Sequence, residues 1–311
     1  MGEGLYPDWI AVDWGTSNLR AYAMSFADDR AMAVVHGAGM RAIAADSTVS
    51  FEGSLLEAIA PWIDSRSHPV PVLMCGMVGS KQGWVEARYL GLPVDLSALP
   101  SALTLVDAHD KRLQAAIVPG LRQEEPANIM RGEETQLAGF SRAVAGSARV
   151  CLPGTHSKWA RLDDGWVTEF GTCMTGELFD LLSTRSILSH SVDASSMQAE
   201  AFIAAVSEAY RAPQRLLSAL FGIRAEDMLN GTDPTVARAR LSGLLIGADL
   251  ASAGLNKSER IALIGARSLT QAYQDALSAL DFAAEVHDGE AMVLAGLSGI
   301  MRTMRKTLEV A

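Results

Sequence analysis

Three short stretches of this chain combine small, hydroxylated and acidic residues in patterns suited to phosphate chemistry. The first is Asp13-Trp-Gly-Thr-Ser-Asn-Leu-Arg20. Gly15 lets the backbone approach a phosphate closely. Thr16, Ser17 and Asn18 add short polar side chains and a row of N–H groups of the kind that forms an anion-binding nest. Asp13 closes an apolar run and is the candidate Mg2+ ligand, because that ion takes carboxylate and water oxygens. An ordinary hairpin whose polar residues satisfy their own turn is the competing reading. The second stretch, Pro153-Gly-Thr-His-Ser-Lys-Trp159, sets the same kind of turn in the other half of the chain. Gly154 and Thr155 would line it, with His156 or Lys158 touching phosphate, although an exposed hairpin tip would look similar. Two such turns in corresponding places say more than either alone.

The third stretch is Met130-Arg-Gly-Glu-Glu-Thr-Gln136. Acids at a helix start are favoured by the macrodipole, so capping is the plain alternative. The chemical reading is a carboxylate that orients and deprotonates a hydroxyl for in-line attack on a γ-phosphate. Glu133 and Glu134 are the candidate catalytic residues. Neighbours on a helix project to different sides, so one of the two is expected to serve, and the sequence leaves open which. Arg131 and Arg20 are candidates for a substrate carboxylate, or for structural ion pairs. Ile264-Gly265-Ala266 and Leu294-Ala295-Gly296 each end an apolar run in glycine, so Gly265 and Gly296 are expected to line a nucleotide-base pocket. Gly76-Met-Val-Gly-Ser80 with Gly83-Trp84 is a small-residue loop that makes Gly79, Ser80 and Trp84 candidate substrate contacts; a plain β–α connection is the alternative.

The elements that must hold these residues recur in one order. Trp9–Trp14, Leu19–Phe26 and Ala31–His36 read as strands, with Asp28-Asp29 as a turn. Leu55, Leu56, Ile59, Ala60 and Ile63 recur at helical spacing. Val70–Cys75 reads as a buried strand, a loop-rich stretch follows, and a helix is expected from Glu133 to Ala145. The order restarts at Arg149–Leu152, continues through Lys158–Leu162, turns at Asp163-Asp164-Gly165 and returns along Trp166–Phe170. A mostly helical region runs from Thr175 to Asn256. Arg260–Ile264 and Phe282–Val286 are then strands, each followed by a helix. The expected fold class is α/β, with two domains, 1–147 and 148–311, each a mixed β-sheet flanked by helices.

Composition narrows the function classes. At 311 residues, two ordinary domains fit, and 49% apolar with 20% charged residues is globular composition. A net charge of −10 argues against a nucleic-acid partner. Cys75, Cys151 and Cys173 lack metal-ligand spacing and sit in apolar stretches, so buried reduced thiols are expected. Met1–Ile10 lacks signal-peptide character. Leu241–Leu255 contains Asp249 and is too short to span a bilayer. A cytoplasmic protein without a membrane partner is expected, with a homodimer allowed.

Several of these strings resemble the 2-dehydro-3-deoxygalactonokinase family, sugar-acid kinases of the sugar kinase/Hsp70/actin superfamily. The resemblance rests on Ala11–Arg20, Met77-Val-Gly-Ser80 with Gly83-Trp84, Val118-Pro-Gly-Leu121 and Met130–Leu137. It extends through Leu152-Pro-Gly-Thr-His156, Met174-Thr-Gly-Glu-Leu178 and Ser242-Gly-Leu-Leu-Ile-Gly247, and so covers nearly the whole chain. It implies two RNase H-like domains of actin-like ATPase type around a nucleotide cleft, with ATP and Mg2+ as cofactors. It also implies phosphorylation of 2-dehydro-3-deoxy-D-galactonate on its terminal hydroxyl, in galactonate breakdown. Lys81-Gln82 and Ser157 vary from the family pattern, and the first pair lies beside the substrate loop. The rival readings are a phosphohydrolase or nucleotide switch on the same fold, or a kinase for a related sugar acid.

Overall fold

The computed structural model describes residues 6–27, 30–46, 48–64 and 68–310, the last five of these without their side chains. The expected turn at Asp28-Asp29 and residues Met1–Leu5 lie outside the described residues. Two compact units are present: 1–146 with 162–169 and 289–311, and 147–161 with 170–288. The opening segment of the first unit ends at residue 146. The two units are not contiguous halves, however, because the hairpin tip around Asp164 and the last helix group with the first unit.

In the first unit, β1 (Trp9–Trp14), β2 (Asn18–Met24) and β3 (Ala31–Ala38) form an antiparallel meander. β1 and β2 are almost wholly buried, whereas β3 alternates half-buried and exposed residues, as a strand with one solvated face should. Helices α1 (Met40–Ala45) and α2 (Phe51–Ile63) follow. α2 starts at Ser50, whose hydroxyl accepts the Gly53 N–H at 2.9 Å, and it buries Leu55, Ile59, Trp62 and Ile63. β4 (Val70–Gly76) then pairs parallel with β1.

The stretch expected to be loop-rich holds short strands: β5 (Tyr89–Gly91), β6 (Val94–Asp95), β7 (Thr104–Val106), β8 (Leu113–Ile117), β9 (Gly120–Gln123) and β10 (Asn128–Met130). β8 pairs parallel with β4, giving the order β3-β2-β1-β4-β8-β7, while β10-β9-β5 makes a small separate sheet. α3 (Glu133–Ala143) closes this part.

The second unit repeats the plan. β11 (Ala148–Leu152), β12 (Ser157–Asp163) and β13 (Trp166–Cys173) are followed by helices α4 (Thr175–Arg185), α5 (Ala199–Arg211), α6 (Leu216–Asn230) and α7 (Pro234–Ser252). β14 (Ile261–Gly265), α8 (Arg267–Ala279) and β15 (Glu285–Asp288) complete it, and α9 (Gly289–Val310) belongs to the first unit. The strand order β13-β12-β11-β14-β15, with β11, β14 and β15 parallel, matches β3-β2-β1-β4-β8 strand for strand. The repeated element order read from the sequence is therefore a repeated fold. Each unit has its own core. One is built around Trp14, Ile59, Trp62 and Met74, the other around Trp159, Phe202, Leu263 and Leu277. The three cysteines are free; Cys75 and Cys151 are buried and Cys173 is half-buried. Among the described residues, no helix is long and apolar enough to cross a membrane.

Candidate active site

In the first unit the chemistry-bearing residues gather at the carboxyl ends of parallel strands, where open α/β sheets bind ligands. Asp13 is in register with Cys75, and Trp14 with Gly76. The turn after β1 is tight, with the Gly15 N–H donating to the Asn18 carbonyl at 2.9 Å. Its own carbonyls are engaged from outside: Met40 N–H donates to Gly15 O and Arg41 N–H to Thr16 O, both at 3.0 Å. Gly39, which the sequence reading missed, makes this approach possible. A Cβ there would run into the Ser17–Asn18 peptide. Thr16 is half-buried and Ser17 and Asn18 are exposed. The short polar residues Ser17 and Asn18 are thus accessible on this turn.

Two glycines with positive φ close the floor of the site. Gly76 (φ 91°) lies against Trp14 O, 2.8 Å from where its Cβ would be, with Asp13 Oδ1 at 3.6 Å. A Cβ on Gly132 (φ 104°) would sit 3.2 Å from Gly76 Cα. Strand β4 and the start of α3 are thus pressed together, a contact that no residue with a side chain would permit in these conformations. The acids follow at once. Glu133 is half-buried and its Oε2 accepts the Arg131 N–H at 2.9 Å. Glu134 is fully buried; its Oε2 accepts the Gly132 N–H at 2.7 Å and its Oε1 the Thr135 hydroxyl at 3.1 Å. Burial first, and the Glu133 charge second, push the Glu134 carboxyl up to about 8, against the backbone hydrogen bonds and Arg131, which pull it down. Burial also holds the Cys75 thiol well above its ordinary range, and the fields of Asp13 and Glu134 add to this.

Arg20 lies across from Asp13 in the β1–β2 register, pairs with its carboxylate, and stands 3.7 Å from Glu290 at the start of α9. Of its two expected roles, the ion pair is the one the structure shows. Arg131 is buried over the Tyr89 ring, 4.2 Å from its centroid, and its Nη2 donates to Ala87 O at 2.7 Å. Its Nη1 has no hydrogen-bond partner, and neither does the buried Ser80 hydroxyl. Gly79 lies beside that nitrogen, since a Cβ there would come within 2.9 Å of Nη1. Trp84 is half-buried and packs on the core.

Gly296 corrects the sequence expectation. It lies inside α9, not at a strand end, and its missing side chain lets α9 press on Thr135 of α3. Gly139 of α3 reciprocates against Met292. Its small size serves helix packing rather than a base pocket.

In the second unit the turn Pro153–His156 is fastened from two sides. The Glu177 N–H donates to Thr155 O at 2.9 Å, and the His156 imidazole meets the Glu177 carboxylate at 2.5 Å. A Cβ on Gly176 would lie 2.9 Å from Thr155 Cα, so the α4 start rests directly on the turn. Gly265, at the end of β14, is beside it, with a Cβ position 3.5 Å from Pro153 O. Gly154 faces open space. Lys158 is buried, and its ammonium donates back to His156 O at 3.1 Å, bracing the turn from within. Sequence reading also missed Asp249. This buried carboxylate accepts from Trp159 Nε1 at 2.8 Å, from the Thr175 hydroxyl at 2.6 Å and from the Tyr273 hydroxyl. It ties α7, β12, α4 and α8 together behind the second turn. The signal was present as a lone acid within an apolar helix.

Among the described residues no cluster of three metal-ligating side chains occurs.

A meander followed by parallel strands, built twice and with a hydroxylated turn after the first strand each time, defines an actin-like ATPase fold. That fold is shared with the ADPNP-bound activator of 2-hydroxyisocaproyl-CoA dehydratase from Clostridium difficile, at a TM-score of 0.53 and 9% identity over 97% of both chains. Residues 13–300 match the family model of 2-keto-3-deoxy-galactonokinase, and the chain belongs to that family. It is 37% identical over 306 residues to a probable 2-dehydro-3-deoxygalactonokinase of Rhizobium meliloti, covering 95% of this chain and 97% of the relative. It is 35% identical to the 2-dehydro-3-deoxygalactonokinase of Escherichia coli, covering 94% and 97%. A solved Sinorhizobium meliloti structure assigned to the same activity superposes with a TM-score of 0.88 at 38% identity, covering 95% of this chain and 99% of that one.

Proposed function

We propose that this chain transfers the γ-phosphoryl group of ATP to the terminal hydroxyl of 2-dehydro-3-deoxy-D-galactonate, giving the 6-phosphate in galactonate catabolism. The observation that carries the reading is the buried acid Glu134, at the start of α3 beside the strand end that bears Asp13.

Glu134 is the base in this scheme. A carboxyl held near 8 has a proton affinity matched to taking a hydroxyl proton around neutral pH, which an ordinary carboxylate lacks. Glu133 sustains that affinity through its charge and ties the α3 start to Arg131. The turns Gly15–Asn18 and Gly154–His156 are each built to receive phosphate oxygens through backbone N–H groups and hydroxyls. Bound Mg2+, with Asp13 as its protein carboxylate, supplies charge neutralisation on the phosphates. The substrate carboxylate falls to Arg131 and Ser80, whose Nη1 and hydroxyl are the unpartnered donors beside the Gly76–Trp84 loop. Little covalent work is left to the protein, so positioning and charge stabilisation carry the rate.

The test is coupled ADP release from Mg-ATP against a panel of 2-keto-3-deoxy sugar acids and neutral sugars. Release that depends on the six-carbon 2-keto-3-deoxy acid is expected. Release without any acceptor indicates a phosphohydrolase, and release with neutral sugars alone removes the substrate assignment.

A further inference from the structure

The string Val118-Pro-Gly-Leu121 takes no part in the phosphate turns, yet its glycine shapes the support of Arg131. Gly120 of β9 is the register partner of Tyr89 on the parallel strand β5. A Cβ on Gly120 would stand 2.6 Å from Cε1 and 2.7 Å from Cδ1 of the Tyr89 ring. The ring thus fills the space that a side chain at position 120 would take, as an aromatic does when it covers a glycine on a neighbouring strand. The Arg131 guanidinium also packs on this ring, with its carbon 4.2 Å from the centroid. The Tyr89 hydroxyl accepts from Nε at 3.4 Å, and Ala87 O accepts from Nη2 at 2.7 Å. Among the described residues, the groups that hold the guanidinium are therefore neutral. The acids nearest in sequence serve the main chain instead, Glu133 accepting the Arg131 N–H and Glu134 the Gly132 N–H.

We infer that Tyr89 is a positioning residue that sets selectivity for sugar acids: seated over Gly120, it holds the Arg131 guanidinium in plane while leaving its charge for the substrate. This role rests on Arg131 receiving the substrate carboxylate, as in the proposed function. A carboxylate clamped on Arg131 would compete with an anionic ligand, as Asp13 does at Arg20. An aromatic face orients the same group through the ring quadrupole and neutralises nothing. With the plane fixed and Nη2 bound to Ala87 O, the edge at Nη1 is what remains for an anion. A leucine at position 89 keeps apolar cover over Gly120 but frees the guanidinium to leave that plane. The loss falls on binding of the acid and not on binding of ATP.

The test is KM for 2-dehydro-3-deoxy-D-galactonate and for ATP, by coupled ADP release, in the full chain with Tyr89→Phe, Tyr89→Leu, Arg131→Met and Tyr89→Leu/Arg131→Met. Tyr89→Leu is expected to raise KM for the acid about tenfold, with KM for ATP and kcat within about twofold of wild type. Tyr89→Phe keeps the ring, and its KM for the acid should stay within about threefold. Arg131→Met should raise that KM by about 10²-fold, and the double variant should be no worse, because Tyr89 acts only through Arg131. Unchanged KM for the acid in Tyr89→Leu, an equal rise in KM for ATP, or losses that multiply in the double variant overturn the role of Tyr89 and leave the carboxylate assignment standing. Absence of wild-type turnover with the acid, or unchanged KM in Arg131→Met, overturns that assignment and the role of Tyr89 with it.

Discussion

Glu134→Gln separates chemistry from folding, because the amide imitates the protonated carboxyl. With its carboxyl near 8, Glu134 is roughly nine-tenths protonated at pH 7, so the variant replaces the resting form almost atom for atom. One acceptor oxygen remains for the Gly132 N–H, and the Thr135 hydroxyl can turn to accept from the amide. Stability at pH 6 should therefore change by less than about 1 kcal/mol. The pH dependence should change more. Between the ordinary glutamate value and 8 the native state holds a proton that the unfolded chain has released. Wild-type stability from this group is therefore full below about 4.5, falls as pH rises, and levels off above 8. From pH 6 to 8 that loss is on the order of 2–3 kcal/mol, and the variant should lack it. Above pH 8, where Glu134 is ionised in wild type, turnover should meanwhile fall by roughly 10²-fold or more, and the difference should shrink as pH falls. Urea unfolding at pH 6 and 8, alongside coupled ADP release, measures both. A variant with near-normal turnover refutes the assignment of the base. A variant whose stability follows pH as wild type does refutes the raised carboxyl.

Three further outcomes follow from the same geometry. Glu133→Gln removes a like charge from beside Glu134, so the limb of kcat/KM that rises as Glu134 ionises should move about one pH unit lower, with kcat above pH 8 within a few-fold of wild type; a pH–rate series reads this directly. Asp249→Asn leaves one of the donors Trp159, Thr175 and Tyr273 facing an amide nitrogen. It should cost about 2–4 kcal/mol in chemical unfolding and raise the KM for ATP more than it lowers kcat, because the network lies behind the second turn. Gly39→Ala places a methyl in the Ser17–Asn18 peptide, and should raise the KM for ATP by about tenfold while circular dichroism stays unchanged.

The sequence made the scaffold legible wherever a local signal matched the tertiary role. Trp9–Trp14 is apolar because β1 is buried between two strands, and the hairpin at Asp164-Gly165 announces itself through the two positive-φ residues the turn needs. Repetition of these signals at Arg149–Phe170 exposed the doubled fold. The strands β5 to β10 stayed hidden because they are two to five residues long, too short to show a period. Gly296 misled for a related reason: an apolar run ending in glycine looks the same before a strand end and inside a helix pressed on another helix. Gly39 and Asp249 were invisible as site residues because what defines each lies far along the chain or across a turn, at Ser17 in one case and at Trp159, Thr175 and Tyr273 in the other. The different burial of Glu133 and Glu134 was also hidden, since adjacent identical residues differ only in where their side chains go.

The same reasoning decides between the two arginines. Arg20 already has both Asp13 and Glu290 within reach, so offering it to a substrate carboxylate means breaking an existing pair. Arg131 keeps its guanidinium fixed by Ala87 O and the Tyr89 ring, yet leaves Nη1 unsatisfied next to Gly79, in a loop whose Ser80 hydroxyl is also unsatisfied. Each unmade hydrogen bond of a buried polar group costs about 1–3 kcal/mol, more for a charged one. Two such groups, one on Arg131 beside Gly79 and one on the neighbouring Ser80, are each lowered in energy by an anion that reaches them. The proposed role of Arg131 also carries an expected selectivity. A neutral sugar brings hydroxyls that can pair with Ser80 but no charge for Arg131, so the guanidinium stays uncompensated and the loop gains little. A sugar acid offers a charge as well, so the proposed function assigns the substrate carboxylate to Arg131 and Ser80 and leaves Arg20 paired with Asp13.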